Sequence, residues 1–426
     1  MKHILITTIA AVLMFLFGGV NEVNGDPLTY KVKGETVSVV KCDENASGEV
    51  VIRSSYAKKP VTSIGIRAFS ECGSLTSVTI ADSVTSIGKN AFENCISLES
   101  VTIPDSVTSI GDRAFRYCSN LTSVTIGNSV TSIEGWTFDY CGSLISVRIP
   151  ESVTGIGMKA FAHCSSLSSV RIPDSVTSIG TLTFYDCLSL TSLTIPDSVT
   201  SIGSRAFEHC GLTSITIPDS VTSIGSNVFA YCSSLMSVTI PDSILRAGFA
   251  GVFSTSQKNL KSVTISGSVT NIPKYAFNGC SSLTSVRIPD SVTSIAKSAF
   301  SSCRSLTSVT FEGDAPSLEA NVFRNVSGNG KIFINPSATG FGETFGGLPV
   351  LILEKALNIN AANKIDFPFT ISFETKSDLT YTIEVTHDLK QWGEIGELQG
   401  TGSSVEFTDW RKALFQKQYY RVKLAE

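Results

Sequence analysis

Charged residues are scarce in this chain, and neither sign dominates. Asp, Glu, Lys and Arg make up 16% of its 426 residues, and the formal net charge is −4. A protein that binds the nucleic-acid backbone needs an excess of Lys and Arg to neutralise the phosphates. The composition therefore gives no support to nucleic-acid binding.

Residues suited to acid–base catalysis and metal binding are also few, because the chain contains only four histidines. The sequence has no HExxH motif, no glycine-rich phosphate loop and no serine in a nucleophile elbow. Cysteines are present, but at a spacing that does not bring them together around one ion. We therefore predict no enzymatic activity, no cofactor and no metal site.

Long apolar runs are missing beyond the N-terminus. An apolar run over residues 4–17 follows Met1-Lys-His, and Val23-Asn-Gly25 offers small residues for cleavage. This order is typical of a secretory signal peptide, and the run is short for a membrane-spanning helix. We expect residues 1–25 to be a signal peptide cleaved near Gly25, so that the protein is secreted or lies on the cell surface without a transmembrane segment. A retained membrane anchor is the alternative.

What the chain has is a repeat of 23 residues, marked by its cysteines. A fixed period between 20 and 50 residues is typical of a solenoid, in which each repeat forms one coil. The spacing shortens to 22 residues before Cys232, and 48 residues, about two repeats, separate it from Cys280. The cysteines at the regular spacing are Cys72, Cys95, Cys118, Cys141, Cys164, Cys187 and Cys210.

One repeat, Leu98–Cys118, shows how a coil is built. Its segment Ser100–Ile103 alternates small polar and β-branched apolar residues, which predicts a short strand with one buried face. Pro104 ends the strand because proline has no N–H to donate. Residues 112–118 read as a short helix or 3₁₀ turn that carries the apolar side chain of Phe115.

A single coil cannot bury its apolar face, so the coils must stack and share a core. Eleven leucines at one repeat position imply about eleven strands, which at about 4.8 Å each give a rod about 50 Å long. The leucine row is Leu75, Leu98, Leu121, Leu144, Leu167, Leu190, Leu212, Leu235, Leu260, Leu283 and Leu306. The phenylalanine row is Phe69, Phe92, Phe115, Phe138, Phe161, Phe184, Phe207, Phe229, Phe277 and Phe300.

The predicted fold is therefore a solenoid of 23-residue β-containing coils, a parallel strand ladder with short helical or 3₁₀ turns, followed by a small antiparallel β domain. We expect an N-terminal cap over 26–60, the repeat array over 61–311, a C-terminal cap over 312–355, a linker over 356–365 and a β-sandwich-like domain over 366–426. One coil, around residues 244–253, is irregular. It is interpreted as a tolerated bulge or as a special contact.

The regular position of the cysteines in the repeat favours a packing role over disulfide bonding. Free cysteine behaves as a small buried hydrophobe, and parallel Cβ vectors in adjacent coils disfavour disulfides. A regular disulfide ladder remains the alternative interpretation. Cys42 lies outside the row and is expected to be free.

The repeat Leu-Thr-Ser-Val-Thr-Ile-Pro-Asp-Ser-Val-Thr-Ser-Ile-Gly-x-x-Ala-Phe-x-x-Cys resembles the BspA-like (treponemal-type) leucine-rich repeats of bacterial surface proteins, over about residues 50–350. The resemblance implies an exported or surface-displayed binding protein without a catalytic motif. The segment Tyr381–Trp392, with Tyr419–Val422, is similar to small β domains that end other exported bacterial proteins. No cell-wall sorting signal is visible.

The outward positions of the strands are the predicted binding surface. Repeat arrays use such extended faces for recognition, and two arginines on adjacent coils suit a carboxylate or sulfate. The alternative is that the Ser and Thr rows only solvate the sheet. The predicted ligand-binding residues are Arg148, Arg171, Arg287, Ser146, Ser169, Thr125 and Thr194.

A second row, directly before the cysteines, carries aromatic residues. Tyr117, Tyr140 and Tyr231 are predicted protein contacts because tyrosine is large and amphipathic. His163, Asp186 and His209 in the same row make a surface metal site conceivable, although the row varies too freely to predict one.

The leading hypothesis is an exported adhesion or recognition protein that binds an extracellular protein or glycan, such as host matrix or another cell. The alternative is a structural or self-assembling surface-layer component without a specific small ligand. Ice or mineral binding by the Ser-x-Thr rows is a third hypothesis, which the interrupting arginines disfavour.

Overall fold

The computed structural model describes residues 25–353, 369–375, 377, 379–386, 393–409 and 419–424. Residues 1–24 of the predicted signal peptide and the whole predicted linker lie outside the described residues. Every structural statement below concerns the described ranges. The domain boundaries given above stay predictions.

The chain begins with five strands that start both ladders of the array. β1 and β2 pair as an antiparallel hairpin, and β2 then pairs in parallel with β5. These strands are β1 (Leu28–Lys33), β2 (Thr36–Cys42), β3 (Gly48–Val51), β4 (Ser55–Tyr56) and β5 (Lys59–Ile64).

The repeat array forms short strands that alternate between two lengths, except around residues 190–195 and in the irregular coil. Most coils contribute one strand of three to five residues and one strand of two residues. The strands are β6 (Leu75–Thr79), β7 (Ser86–Ile87), β8 (Ser100–Thr102), β9 (Ser109–Ile110), β10 (Ser123–Thr125), β11 (Ser132–Ile133), β12 (Ser146–Arg148), β13 (Gly155–Ile156), β14 (Ser169–Arg171), β15 (Ser178–Ile179), β16 (Ser201–Ile202), β17 (Ser214–Thr216), β18 (Ser223–Ile224), β19 (Ser237–Ile240), β20 (Ser262–Ile265), β21 (Asn271–Ile272), β22 (Ser285–Ile288), β23 (Ser294–Ile295), β24 (Ser308–Phe311) and β25 (Ser317–Leu318).

Two parallel ladders run along the array. The long-strand ladder consists of the sheet β3-β6-β8-β10-β12-β14 and a second sheet that begins at β17 and continues through β19, β20, β22 and β24. The short-strand ladder consists of the two-residue strands, for example β11-β13-β15-β16-β18. The strands pair in a register that places equivalent residues of neighbouring coils side by side, such as Val124 and Val147. The predicted solenoid with a parallel strand ladder is thus confirmed.

Ten of the eleven predicted strands are present, and the missing one is a correction to the sequence prediction. Residues 190–195 keep the repeat pattern but form no strand, so the long-strand ladder is interrupted between β14 and β17. β-branched valine or isoleucine lies at the centre of the other strands, whereas this coil has Leu193, which is not β-branched and is half-buried. We call residues 190–195 the ladder break.

The segment predicted as a short helical turn is a pair of tight turns. Ala114 donates its N–H to the carbonyl of Gly111 at 3.1 Å, and Cys118 donates to Phe115 at 3.3 Å. Between these turns Arg113 and Tyr117 have positive φ values of 58° and 63°. The left-handed residues prevent a continuous helix and turn the N–H of Tyr117 toward the carbonyl of Asp139 in the next coil, at 2.9 Å.

The phenylalanine row is a continuous column of stacked rings. The Phe138 and Phe161 centroids are 5.4 Å apart, Phe161 and Phe184 are 5.5 Å apart, and all three side chains are fully buried. The leucine row is fully buried as well. Each coil therefore supplies one layer of a core that only its neighbours complete.

The irregular coil continues this column by a different route. It forms two short helices, α1 (Asp242–Ala247) and α2 (Phe249–Phe253), and a 3₁₀ helix over Ser254–Lys258. Phe253 stacks 5.2 Å from Phe229, and Phe249 lies 4.7 Å from Phe277. The insertion thus keeps the core closed where the repeat pattern is lost.

The cysteines serve as packing and hydrogen-bonding groups. Cys118 donates its thiol to the Phe92 carbonyl at 3.2 Å, and Cys141 to the Phe115 carbonyl at 3.2 Å. All eleven cysteines, including Cys42, are free and buried. Burial raises the pKa of the Cys141 and Cys164 thiols well above the ordinary value.

The array ends in β26 (Lys331–Ile334), β27 (Thr344–Phe345) and β28 (Leu348–Ile352), of which β26 and β28 extend the long-strand ladder. The described residues of the C-terminal unit form five strands in two antiparallel sheets, β29-β32 and β31-β30-β33. Its core contains Phe373, Tyr381 and Ile383. The strands are β29 (Phe369–Glu374), β30 (Thr380–Thr386), β31 (Gly393–Gln399), β32 (Ser404–Asp409) and β33 (Tyr419–Leu424).

The stacked phenylalanine rings, here called the Phe column, predict a large loss of stability when one ring is removed. Phe161→Ala should lower the free energy of unfolding by about 3–5 kcal/mol, because its neighbours cannot collapse into the cavity. Urea denaturation followed by circular dichroism measures the loss. The matched change Ile66→Ala, at a side chain that is 70% exposed, should cost less than about 0.5 kcal/mol. Equal effects of the two changes would contradict the shared core.

Thiol labelling tests the role of the cysteine row. In the folded protein Cys141 and Cys164 should not react with iodoacetamide at pH 8, since the thiols are buried and their pKa is raised. In denaturant without a reductant both should react fully, as read by peptide mass spectrometry. Protection that persists in denaturant would instead indicate the disulfide ladder.

Candidate binding surface

The long-strand ladder presents polar side chains outward at every second position. In β8, β10, β12 and β14 the central valine is buried, and the residues on either side of it are exposed. Parallel register places Ser146 beside Ser169 and Arg148 beside Arg171. The sequence pattern thus becomes two exposed rows along one face, one of serines and one of threonines and arginines.

The predicted ligand-binding residues fall into three groups on this face. Thr125, Ser146, Arg148, Ser169 and Arg171 lie together on β10, β12 and β14. Arg287 lies on β22, on the far side of the ladder break, and Thr194 lies within the break itself, outside any strand. The structure therefore brings five of the seven residues together.

The arginines on this face have acidic or amide neighbours. Arg171 forms an ion pair with Glu151 and lies 3.9 Å from Asp174, and Arg287 pairs with Glu312. Arg148 has only the Asn128 side-chain oxygen, 3.5 Å away. An incoming anion would thus compete with resident carboxylates at Arg171 and Arg287, and Arg148 is the most available cation of the three.

Sequence reasoning missed these acidic partners although the repeat contains their signal. Glu151 and Asp174 each follow an arginine by three residues, at the position of the Pro-Asp turn. Because that turn lies at the end of the strand, its carboxylates reach the arginines of the same and the neighbouring coil.

The row before the cysteines forms a second exposed stripe. Tyr140 stacks on His163 at 4.0 Å and contacts Tyr117 at 4.9 Å, whereas Tyr231 stacks on His209 at 4.7 Å. Tyr140 and Tyr231 are 41% and 52% exposed. Tyr185 contacts His163 and His209 edge-on, with centroids 5.2 and 5.8 Å away, and so joins the two groups. The tyrosines predicted as contacts thus belong to one continuous row of aromatic rings.

The histidines in this stripe have local partners. His163 Nδ1 lies 3.3 Å from a carboxylate oxygen of Asp186. Within the described residues no three His, Cys, Asp or Glu side chains are grouped so that they could hold a metal ion. No helix in the described ranges combines the length and hydropathy of a membrane span.

A partly buried ion network supports the stripe at Tyr117. Arg116 lies 3.0 Å from Asp139 and 3.6 Å from Glu93, and its guanidinium covers the Tyr117 ring at 4.4 Å. The Asp139 side chain is 1% exposed, and one of its oxygens has no hydrogen-bond partner. Burial therefore raises the pKa of the Asp139 carboxyl, although Arg116 opposes the shift.

Comparison with known proteins places the array in a repeat family. The model of the BspA type leucine rich repeat region matches residues 49–168, 154–256 and 249–346. No curated protein matches the chain.

The chain is similar to several solved leucine-rich repeat structures. A leucine-rich repeat protein from Bacteroides ovatus is 28% identical, and the match covers 78% of this chain and 100% of that chain with a TM-score of 0.50. The T. pallidum leucine rich repeat protein is also 28% identical, over 50% of this chain and 90% of its own, with a TM-score of 0.42. A leucine rich cell surface protein from Faecalibacterium prausnitzii is 31% identical, over 68% and 94%, with a TM-score of 0.37.

Burial of the Asp139 carboxyl predicts that the stability lost on replacing Arg116 depends on pH. Arg116→Met should destabilise the protein by about 3 kcal/mol near neutral pH, because the Asp139 charge is left unpaired. Loss of the guanidinium raises the pKa of Asp139 further, so the folded state binds a proton more tightly than the unfolded state. The destabilisation relative to wild type should therefore shrink as the pH falls through that pKa. Urea denaturation at pH 7.5 and pH 4.5 measures both, with exposed Arg304→Met as control. A loss that does not depend on pH would contradict this explanation.

Proposed function

The chain belongs to the BspA-type leucine-rich repeat family, and on that premise we propose that it is an exported protein that binds an extracellular protein or glycan through its long-strand ladder. The observation that carries the proposal is the register of the exposed rows. Serine lies beside serine over successive coils, with Arg148 and Arg171 side by side among them. A face of this length and regularity suits a macromolecule better than a small metabolite.

The polar character of the face supports recognition by many weak contacts. Its side chains are hydroxyls and guanidinium groups, which donate hydrogen bonds to carboxylates, sulfates and sugar hydroxyls. Several threonine hydroxyls near the face are directed to the preceding coil, as in Thr122, which donates to the Glu99 carbonyl at 3.0 Å. Among the described residues, the serine row and Arg148 therefore supply the groups that are most available to a partner, whereas Arg171 and Arg287 are already paired with carboxylates.

We also propose that the protein binds its partner without catalysing a reaction. Among the described residues the two histidines, His163 and His209, contact aromatic rings, and His163 also contacts Asp186. Neither forms a hydrogen bond with a serine in the described part of the chain, so neither is placed as a general base for the serine row. Export rests on the expected signal peptide at residues 1–25.

Charge reversal at the adjacent arginines tests the proposal. The double variant Arg148→Glu and Arg171→Glu should weaken capture of an extracellular ligand at least tenfold, because two cations become anions beside Glu151 and Asp174. Surface plasmon resonance against purified host matrix proteins and immobilised glycans measures the affinities.

The matched control is the double variant Arg67→Glu and Arg304→Glu, which changes net charge equally at exposed positions off the long-strand ladder. It should bind like wild type. Equal loss in both double variants would indicate an effect of net charge, and unchanged capture by the first would reject this face. Concentration-dependent filaments in light scattering, with no ligand captured, would favour the self-assembling alternative.

A further inference from the structure

The ladder break opens one side of the solenoid while the other side stays joined. β14 ends one sheet of the long-strand ladder and β17 begins the next. In the same coils the short-strand ladder is continuous, because β15 pairs with β16 and β16 with β18. The coils are therefore still stacked, and the opening is confined to the face that carries the serine and arginine rows.

Two features of the chain coincide with the opening. Leu193 replaces the β-branched valine or isoleucine of the other coils and is half-buried, and the neighbouring Val170 is 9% exposed, more than any other valine of its row. In addition the next coil has Cys210-Gly-Leu212, one residue fewer than the usual Cys-x-x-Leu. Leucine lacks the β-branching that favours a strand, and the shorter connection changes how the next coil follows residues 190–195.

The opening leaves main-chain groups without partners. In intact coils the residue before the strand donates to the preceding coil, as Ser168 does to Ile145 at 3.0 Å. Thr191 makes no such bond, and no backbone hydrogen bond joins residues 192–194 to a neighbouring coil in the described part of the chain. Unpaired strand edges are templates for an added strand.

A cleft lies at this position, with a volume of about 450 Å³. That volume is within the range of ligand-binding pockets. Val170, Arg171, Asp174, Thr194, Pro196 and Asp197 are among the residues that line it. The cleft therefore combines open backbone, apolar walls and charged side chains.

The charges at the cleft favour a basic partner. Arg171 is already paired with Glu151 and Asp174, whereas Asp197 has no ion-pair partner among the described residues. With one arginine against Asp174 and Asp197, the lining carries an excess negative charge. A lysine or arginine side chain would complement it.

We propose that the ladder break is a slot for an extended peptide segment that carries a basic residue. The peptide main chain pairs with the open edge beside β14 and with residues 191–194, and its basic side chain lies between Asp174 and Asp197. This inference rests on the proposed function, because it assigns part of the same face to a partner of defined chemistry.

The probe is a fluorescein-labelled, end-capped heptapeptide, Thr-Val-Thr-Lys-Thr-Val-Thr, titrated with the full chain and followed by fluorescence anisotropy. We expect saturable binding. Replacing the peptide lysine with glutamate should weaken binding about fivefold or more, and N-methylation of alternate peptide amides should weaken it about tenfold, since each lost backbone hydrogen bond contributes.

Variants of the protein locate the site. Asp197→Asn should weaken the lysine peptide about fivefold, whereas Asp82→Asn, an exposed carboxylate at the equivalent position beside the intact β6–β8 pair, should bind like wild type. Leu193→Val restores the repeat residue and should close the ladder. Amide hydrogen exchange at 191–194 should then slow, and peptide binding should fall together with it.

Several results would overturn the proposal. These are absence of saturable binding, indifference to N-methylation, unchanged binding in a Leu193→Val protein whose exchange has slowed, or slow exchange at 191–194 in wild type. Self-association in light scattering that Leu193→Val abolishes would assign the slot to a second copy of the chain instead. A protein that ignores the peptide but still captures a matrix protein or glycan through Arg148 and Arg171 would reject the slot and leave the proposed function in place.

Discussion

The structure depends on the contact between one coil and the next. Most coils contribute a ring to the Phe column, a leucine to the buried row and a thiol that donates to the preceding phenylalanine carbonyl, as Cys118 does to Phe92. No coil has a core of its own, so stability comes from the interfaces. The continuity of the column through Phe249 and Phe253 shows how strongly the chain is constrained to keep this contact where the repeat is irregular.

The contact between coils also determines the backbone conformation of the turns and the arrangement of the surface side chains. Two residues per coil take left-handed conformations that cost free energy for non-glycine residues, and they persist because their N–H groups bond the next coil, as at Tyr117. Coils also approach so closely that a Cβ on Gly111 would lie 2.5 Å from the Lys89 nitrogen. The result is a face on which equivalent side chains lie in register, except at residues 190–195, where the ladder is interrupted.

Most of the architecture could be predicted because the same apolar positions recur in successive repeats of the sequence. The Phe and Leu rows are apolar in every coil, so their burial follows from periodicity alone. The missing strand at 190–195 could not be predicted this way, since leucine at an apolar position fits the pattern and only its branching and packing distinguish it from the valine or isoleucine of the other coils. Strand β31, Gly393–Gln399, gives a weak signal in the sequence because its glycines and glutamates hide the alternation. At the candidate site the rows were predictable, whereas the pairing of Arg171 with Glu151 depends on how turns of neighbouring coils meet.

The most direct test of the account is to remove one whole coil. Deletion of residues 98–120 takes out one repeat of 23 residues and rejoins equivalent positions, so the Phe column should close from Phe92 to Phe138. Thermal unfolding by circular dichroism should then give a cooperative transition within about 5 °C of wild type, since only one interface of the array is lost. Deletion of residues 98–108, which breaks the register, should abolish that transition near its site. If the two deletions were equally damaging, the coil would not be the structural unit, and the account of the face built on it would be contradicted.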